Sequence, residues 1–216
     1  MKSILVIGMG RFGRHLSRKL TELGNEVMVV DEREEAISEL VNDVTSAQIG
    51  DCTREDVLRS LGVTNFDVCF VCVGSDFQAS LEITALLKDL GARRVISKAS
   101  RDIHAKFLLR NGADEVIYPE RDTAERIAVR ASANNVFDYI ELTPEYSIYE
   151  IPPMEAWLGK TIAQCNVRTK YHISILATKQ NGVTSLLPPA DHLFVPSEHL
   201  MVIGRHEDIQ RVLKRI

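Results

Sequence analysis

The sequence predicts an α/β chain in which a doubly wound parallel sheet is followed by a smaller α+β domain. Three observations carry this reading. Up to about residue 118, short β-branched runs alternate with segments of helical periodicity, six times over. The first run opens directly into Gly8-Met9-Gly10-Arg11-Phe12-Gly13. From about residue 141 the alternation gives way to short strands with turn signals, in the stretch that holds every proline except Pro119. The pattern predicts domains over residues 1–134 and 135–216.

The first strand, 3–7, is an apolar run without polar alternation, as a strand covered on both faces requires. The glycine turn converts it into a helix. Strands 26–30, 45–49, 68–73, 94–98 and 115–118 follow, with Gly24, Gly62, Gly91 and Gly112 closing the intervening helices. Thr53-x-x-Asp56 and Ser75-x-x-Gln78 have capping-box spacing, which starts a helix just after the third and fourth strands. After Pro119 a helix is expected over 120–134, ended by Asn134-Asn135 and followed by a turn region at 138–140. No parallel strand follows that helix, so it packs either on its own sheet or on another chain or domain, a dimer contact being expected. The second domain reads as strands 146–151, 172–179 and 199–203, a hairpin at Asn181-Gly182 and a closing helix over 207–215.

The glycine turn has a chemical reading because each glycine meets a separate demand. Gly8 permits the tight strand-to-helix turn, Gly10 lets backbone N–H groups approach a phosphate, and Gly13 lets the helix pack closely on the strand. Phosphate then sits at a helix N-terminus, where unpaired N–H groups and the helix dipole favour negative charge. Asp31, at the end of the second apolar run, supplies a carboxylate for ribose hydroxyls and repels a 2′-phosphate, which argues against NADP. Strand, turn, helix and acid together predict a nucleotide-binding, Rossmann-like domain.

Composition removes other classes. The 216 residues are 45% hydrophobic and 26% charged, ordinary for a soluble chain, and the formal charge of −4 is spread without blocks, so nucleic acid is not an expected partner. There is no run of about 18 apolar residues and no leader-like start, so a cytoplasmic location is expected. Cys69-x-x-Cys72 invites a zinc or redox reading, but residues three apart on a strand point to opposite faces. These cysteines, with Cys52 and Cys165, read as small apolar residues in a reducing compartment. His172, His192, His199 and His206 show no sequence pairing with an acid that would orient a catalytic base. Neither a G-x-S-x-G elbow, an H-E-x-x-H helix nor a Walker lysine occurs, so the chain reads as a nucleotide sensor and not as an enzyme.

The whole chain resembles the RCK (regulator of K⁺ conductance) family, closest to its KtrA-type, TrkA-like members. The segments that carry the resemblance are the glycine turn, Val30-Asp31, Gly50-Asp51-Cys52-Thr53, Lys98-Ala99 and the run from Gly112 through Pro119-Glu120-Arg121-Asp122. The resemblance implies an RCK N-domain that binds ATP, ADP or NAD(H), followed by a small RCK C-domain. It also implies homodimers assembled into an octameric ring at the inner face of the membrane, where the ring gates a separate K⁺ channel or transporter subunit. Carried onto this sequence, it makes Asp31 the partner of the adenosine ribose hydroxyls, places Asp51 and Cys52 beside the adenine, and counts Glu32 among the nucleotide-binding residues. Phe12, Gly74 and Lys98 complete the expected contacts around the glycine turn.

Arg11 corresponds to an arginine that, in KtrA-type relatives, reaches a neighbouring subunit's terminal phosphate; a solvated helix-face arginine is the alternative. Glu120 resembles the family's site for Mg²⁺ or Ca²⁺ held between dimers, and also opens a helix, where an acid suits the dipole. Residues 166–175 resemble a segment that binds cyclic di-AMP. There Arg168 would clamp phosphate while Ile162, Ile173 and Pro189 line the base pocket. Two departures stand out, since relatives usually have glycine at the position of His172 and asparagine at that of Ser174. A different class of function, a small NAD-dependent oxidoreductase with its substrate site at a dimer interface, is the alternative. A transcription regulator would need a basic helix, and Arg126 and Arg130 are interleaved with Glu125 and apolar residues.

Overall fold

Strand β1 (Ser3–Ile7) has no exposed residue. Period-two geometry sends Leu5 and Ile7 into one apolar cluster, and Ile4 and Val6 into another on the opposite face. Each such fully buried aliphatic side chain contributes roughly 1.5–3 kcal/mol of transfer free energy, which makes β1 the centre of its unit. In this computed structural model, which describes residues 1–132 and 136–216, the chain continues through α1 (Arg11–Glu22), β2 (Glu26–Asp31), α2 (Glu34–Ser38) and β3 (Ser46–Ile49). Helix α3 (Glu55–Leu61), β4 (Val68–Val71), α4 (Phe77–Asp89), β5 (Val95–Lys98), α5 (Asp102–Arg110) and β6 (Glu115–Ile117) follow.

The six strands form one parallel sheet in the order β3-β2-β1-β4-β5-β6. The chain winds outward from β1 to β3, returns, and winds outward the other way from β4. A crevice opens beyond the carboxyl ends of the strands where that order reverses, here between β1 and β4. Cys69 lies in the first apolar cluster and Cys72 in the second, so the pair faces away from a shared ion as expected; both are free and buried.

Two helix starts differ from expectation. The Thr53 hydroxyl donates to Asp51, and α3 begins after Arg54 without a side-chain cap. Ser75 gives way to Asp76, whose carboxylate accepts the Ala79 N–H at 2.9 Å and caps α4. At α4 a neighbouring carboxylate, the stronger acceptor, takes the role the hydroxyl was expected to fill, whereas at α3 the Thr53 hydroxyl is spent on Asp51. The full capping box lies elsewhere, at Thr161 and Gln164.

The chain divides into two compact units, Met1–Glu120 and Arg121–Ile216. Helix α6 (Pro119–Ser132) therefore starts in the first unit and runs into the second, where Val129 packs against the core. The sequence pattern put the division after residue 134, and the expected break at Asn134-Asn135 lies outside the described residues. The turn expected at 138–140 is instead strand β7 (Asp138–Glu141), antiparallel to β8 (Tyr146–Ile151). Its Tyr139 and Ile140 are good strand formers, and the chain turns later, where the Tyr146 N–H donates to Thr143.

The second unit adds α7 (Ile162–Cys165), α8 (Val167–Tyr171), β9 (Ile173–Gln180), β10 (Val183–Leu186), β11 (Glu198–Arg205) and α9 (His206–Leu213). Its antiparallel sheet has the order β10-β9-β11-β8-β7. Tyr149, Ile151, Trp157, Phe194, Val202 and Ile209 fill its core. Asn181 and Gly182 both have positive φ, 50° and 79°, as the expected two-residue hairpin turn demands.

Candidate functional site

Beyond the carboxyl ends of β1 to β5 the first unit holds a cavity of about 610 Å³. Its floor is the glycine turn. Gly8 has φ +94°, its N–H donates to Val30 at 2.8 Å, and a Cβ there would lie 2.9 Å from Val73 Cγ2. A Cβ on Gly13 would lie 2.1 Å from the Gly8 carbonyl oxygen, so helix and turn touch through backbone. Gly10 is different: a Cβ there meets nothing within 4 Å, and its φ of −69° suits any residue. Its missing side chain leaves space above the start of α1, and no side chain caps that helix. An open approach to free first-turn N–H groups suits an anion.

Asp31, 7% exposed, ties the ends of β1 and β2 together. Its Oδ2 accepts the Met9 N–H at 2.6 Å, and its Oδ1 accepts the Arg33 N–H and Nε–H, each at 3.0 Å. Burial pushes this carboxyl up, but the Arg33 side chain and the Arg33 and Met9 backbone N–H groups outweigh it and hold the group below the usual carboxylate range. Asp51, after β3, accepts the Thr53 hydroxyl at 2.6 Å and N–H at 2.9 Å, which keeps it ionised as well. Cys52 beside it is buried, which pushes its thiol up to about 12, so it offers an apolar wall and no nucleophile.

The other side of β1 carries cations. Lys98, last residue of β5, is 9% exposed, and its Nζ would lie 3.2 Å from a Cβ on Gly74. It donates to Glu120 Oε1 at 2.8 Å. Arg11, first residue of α1, is exposed at the mouth, and Phe12 behind it packs on the second apolar cluster. Acids at the ends of β2 and β3 and cations at α1 and β5 thus flank the turn. A ligand lying across β1 would place hydroxyl-bearing groups on one side and phosphates on the other.

Of the residues expected from sequence, Gly8, Gly10, Arg11, Phe12, Asp31, Glu32, Asp51, Cys52, Gly74, Lys98 and Glu120 all line this one cavity. Gly13 lies just beneath it. Arg33, Thr53 and Asp76 also line it and were not anticipated. Arg33 stands two residues past Asp31, the one local signal that could have flagged it. Arg168 is exposed on α8 in the second unit and is not part of the cavity. Ile173 is 1% exposed in the second core, which leaves Ile162 and Pro189 as the accessible members of the expected base pocket. His172 has φ +56°, which accounts for the glycine expected there in relatives.

The histidine expectation needs correction. His192 Nε2 lies 2.8 Å from buried Glu198, and His199 Nδ1 lies 2.8 Å from buried Glu150, which also accepts Lys179. Glu150 is 49 residues from His199, so spacing concealed that pair, whereas Glu198 is only six residues past His192 and its pairing depends on the turn between them. Neither pair lines the cavity, and His199 is stacked on Phe137 at 3.7 Å. Glu120, a single carboxylate paired with a lysine, is not a cation site by itself. Among the described residues no group of three or more His, Cys, Asp or Glu could hold a metal ion.

Residues 4–119 match the TrkA-N domain family and residues 146–216 the TrkA-C domain family. The chain belongs to this RCK family. It is 41% identical to Ktr system potassium uptake protein C of Bacillus subtilis over 100% of this chain and 97% of that one. It is 39% identical to Ktr system potassium uptake protein A of the same organism, over 97% and 95%. Its fold is shared with the GsuK channel bound to NAD (TM-score 0.70, 19% identity, 96% of this chain and 38% of that one). GsuK bound to ADP matches 61% of this chain and 34% of that one, with a TM-score of 0.55 and 20% identity. This RCK chain thus spans less than half of each GsuK chain but nearly all of its Ktr relatives. Among the described residues no helix is long and apolar enough to cross a membrane.

Proposed function

We propose that this chain is a non-enzymatic, cytoplasmic nucleotide sensor that gates a separate K⁺-conducting membrane protein. The observation that carries the reading is the uncapped start of α1, opening through Gly10 into a cavity bordered by Asp31 on one side and Lys98 on the other. The Ktr relatives are potassium uptake proteins, and the GsuK structures hold NAD and ADP; both favour a nucleotide as the signal and potassium flux as the output. Phosphates accept the first N–H groups of α1. Ribose hydroxyls replace the Arg33 side chain on Asp31 while the Met9 N–H stays bound. Adenine lies against Asp51 and Cys52.

ATP and ADP are the ligands we favour, with NAD(H) the alternative. In this reading Arg11 reaches the terminal phosphate of a neighbouring copy, which gives the ring the differential affinity that a ligand needs to shift a conformational equilibrium. The described part of α6 has no buried residue and exposes Ile127, as expected of a helix that pairs with a second copy within an octameric ring. Mg²⁺ or Ca²⁺ binds only where Glu120 from two copies meet. The resemblance alone supports cyclic di-AMP at Arg168.

A thermal-shift series with ATP, ADP, NAD⁺, NADH and cyclic di-AMP tests this, because a specific ligand stabilises by mass action. Stabilisation by ATP and ADP to different extents is expected, and Arg11→Ala should erase the difference between them. An unchanged preference in Arg11→Ala contradicts the role given to that residue. Turnover of NADH with a substrate would favour the oxidoreductase.

A further inference from the structure

The Lys98–Glu120 ion pair is lopsided. Only 11% of the Lys98 side chain is exposed, against 64% of the Glu120 side chain. A buried ammonium is costly without a counter-ion, whereas an exposed carboxylate can return to water at little cost. The anion is therefore the exchangeable member. The Lys98 hydrogen bond holds the Glu120 carboxyl below the usual range, and the charge of Arg11 acts in the same direction. Glu120 thus projects an anion between two cations that flank the glycine turn, inside the cavity that has to admit phosphate. It is also the second residue of α6, the helix that leads out of the first unit.

We propose that Glu120 is a built-in competitor for the ligand's distal phosphate, occupying Lys98 in the empty cavity and leaving it when a nucleoside di- or triphosphate binds. This rests on the nucleotide-sensing reading above. Lys98 then always has one anion, and the exchange frees the first turn of α6 from the sheet end. Ligands without a distal phosphate do not displace Glu120, so the phosphate count is read at the start of that helix.

The test is calorimetry on the full chain in EDTA, so that no divalent cation bridges carboxylate and phosphate, with adenosine, AMP, ADP and ATP as probes. Glu120→Gln removes the charge but keeps the shape, and should tighten ATP and ADP roughly fivefold while leaving adenosine within about twofold. Lys98→Met should weaken ATP, and in that background Glu120→Gln should no longer tighten it. Equal or weaker ATP binding by Glu120→Gln, with wild type binding normally, overturns the competitor role and leaves the sensing reading intact. Failure of wild type and variants alike to bind any adenine nucleotide overturns both.

Discussion

Asp31 is a structural clamp as well as the proposed ribose acceptor, and pH tests the clamp. Its carboxylate holds the glycine turn through Met9 and is kept below its ordinary value of about 3.9. A depressed carboxylate stabilises the fold above its unfolded value, and that contribution is lost as pH falls through the folded value. Asp31→Asn should therefore melt below wild type at pH 7, and the gap should close as the pH is lowered below about 4. A gap independent of pH would assign the loss to packing. The glycine turn and Asp31 were legible in the sequence because their constraints are local: backbone geometry, close approach, and only one helix and one short strand between them. Arg33 on Asp31, Glu150 on His199 and Glu120 on Lys98 were not, because each depends on which way a long or distant side chain turns once the sheet has formed.

Among the elements, the alternation of apolar runs and glycine stops was enough to locate the six parallel strands: burial explains the runs of β1, β2, β4 and β5, while the more exposed edge strands β3 and β6 follow from their place in the alternation. Helix starts were harder. Ser75 and Asp76 both present acceptors one residue apart, and only the folded chain shows that Asp76 reaches the Ala79 N–H. Asp76→Ala should cost about 1 kcal/mol in denaturant unfolding while Ser75→Ala stays within about 0.5 kcal/mol. The reverse order would restore the capping box read from spacing. Strand β7 escaped notice because its four residues sit between two turn signals, and its pairing with β8 supplies what its length does not.

The whole molecule joins a parallel sheet with its crevice at the order reversal to an antiparallel sheet, with α6 beginning in one unit and continuing in the other. If a nucleotide is the input, its free energy enters at the glycine turn and at Lys98, both within the first unit. The most direct measurement is an ATP and ADP titration of wild type beside Gly10→Val. Position 10 has ordinary backbone angles and open space above it, so valine should leave the chain folded, with at most the modest loss of a poorer N-cap, while filling the proposed place of the phosphate. The account predicts binding to wild type and none to the folded variant. Equal binding by both would contradict a phosphate over the start of α1, and with it the claim that this cavity is the sensor.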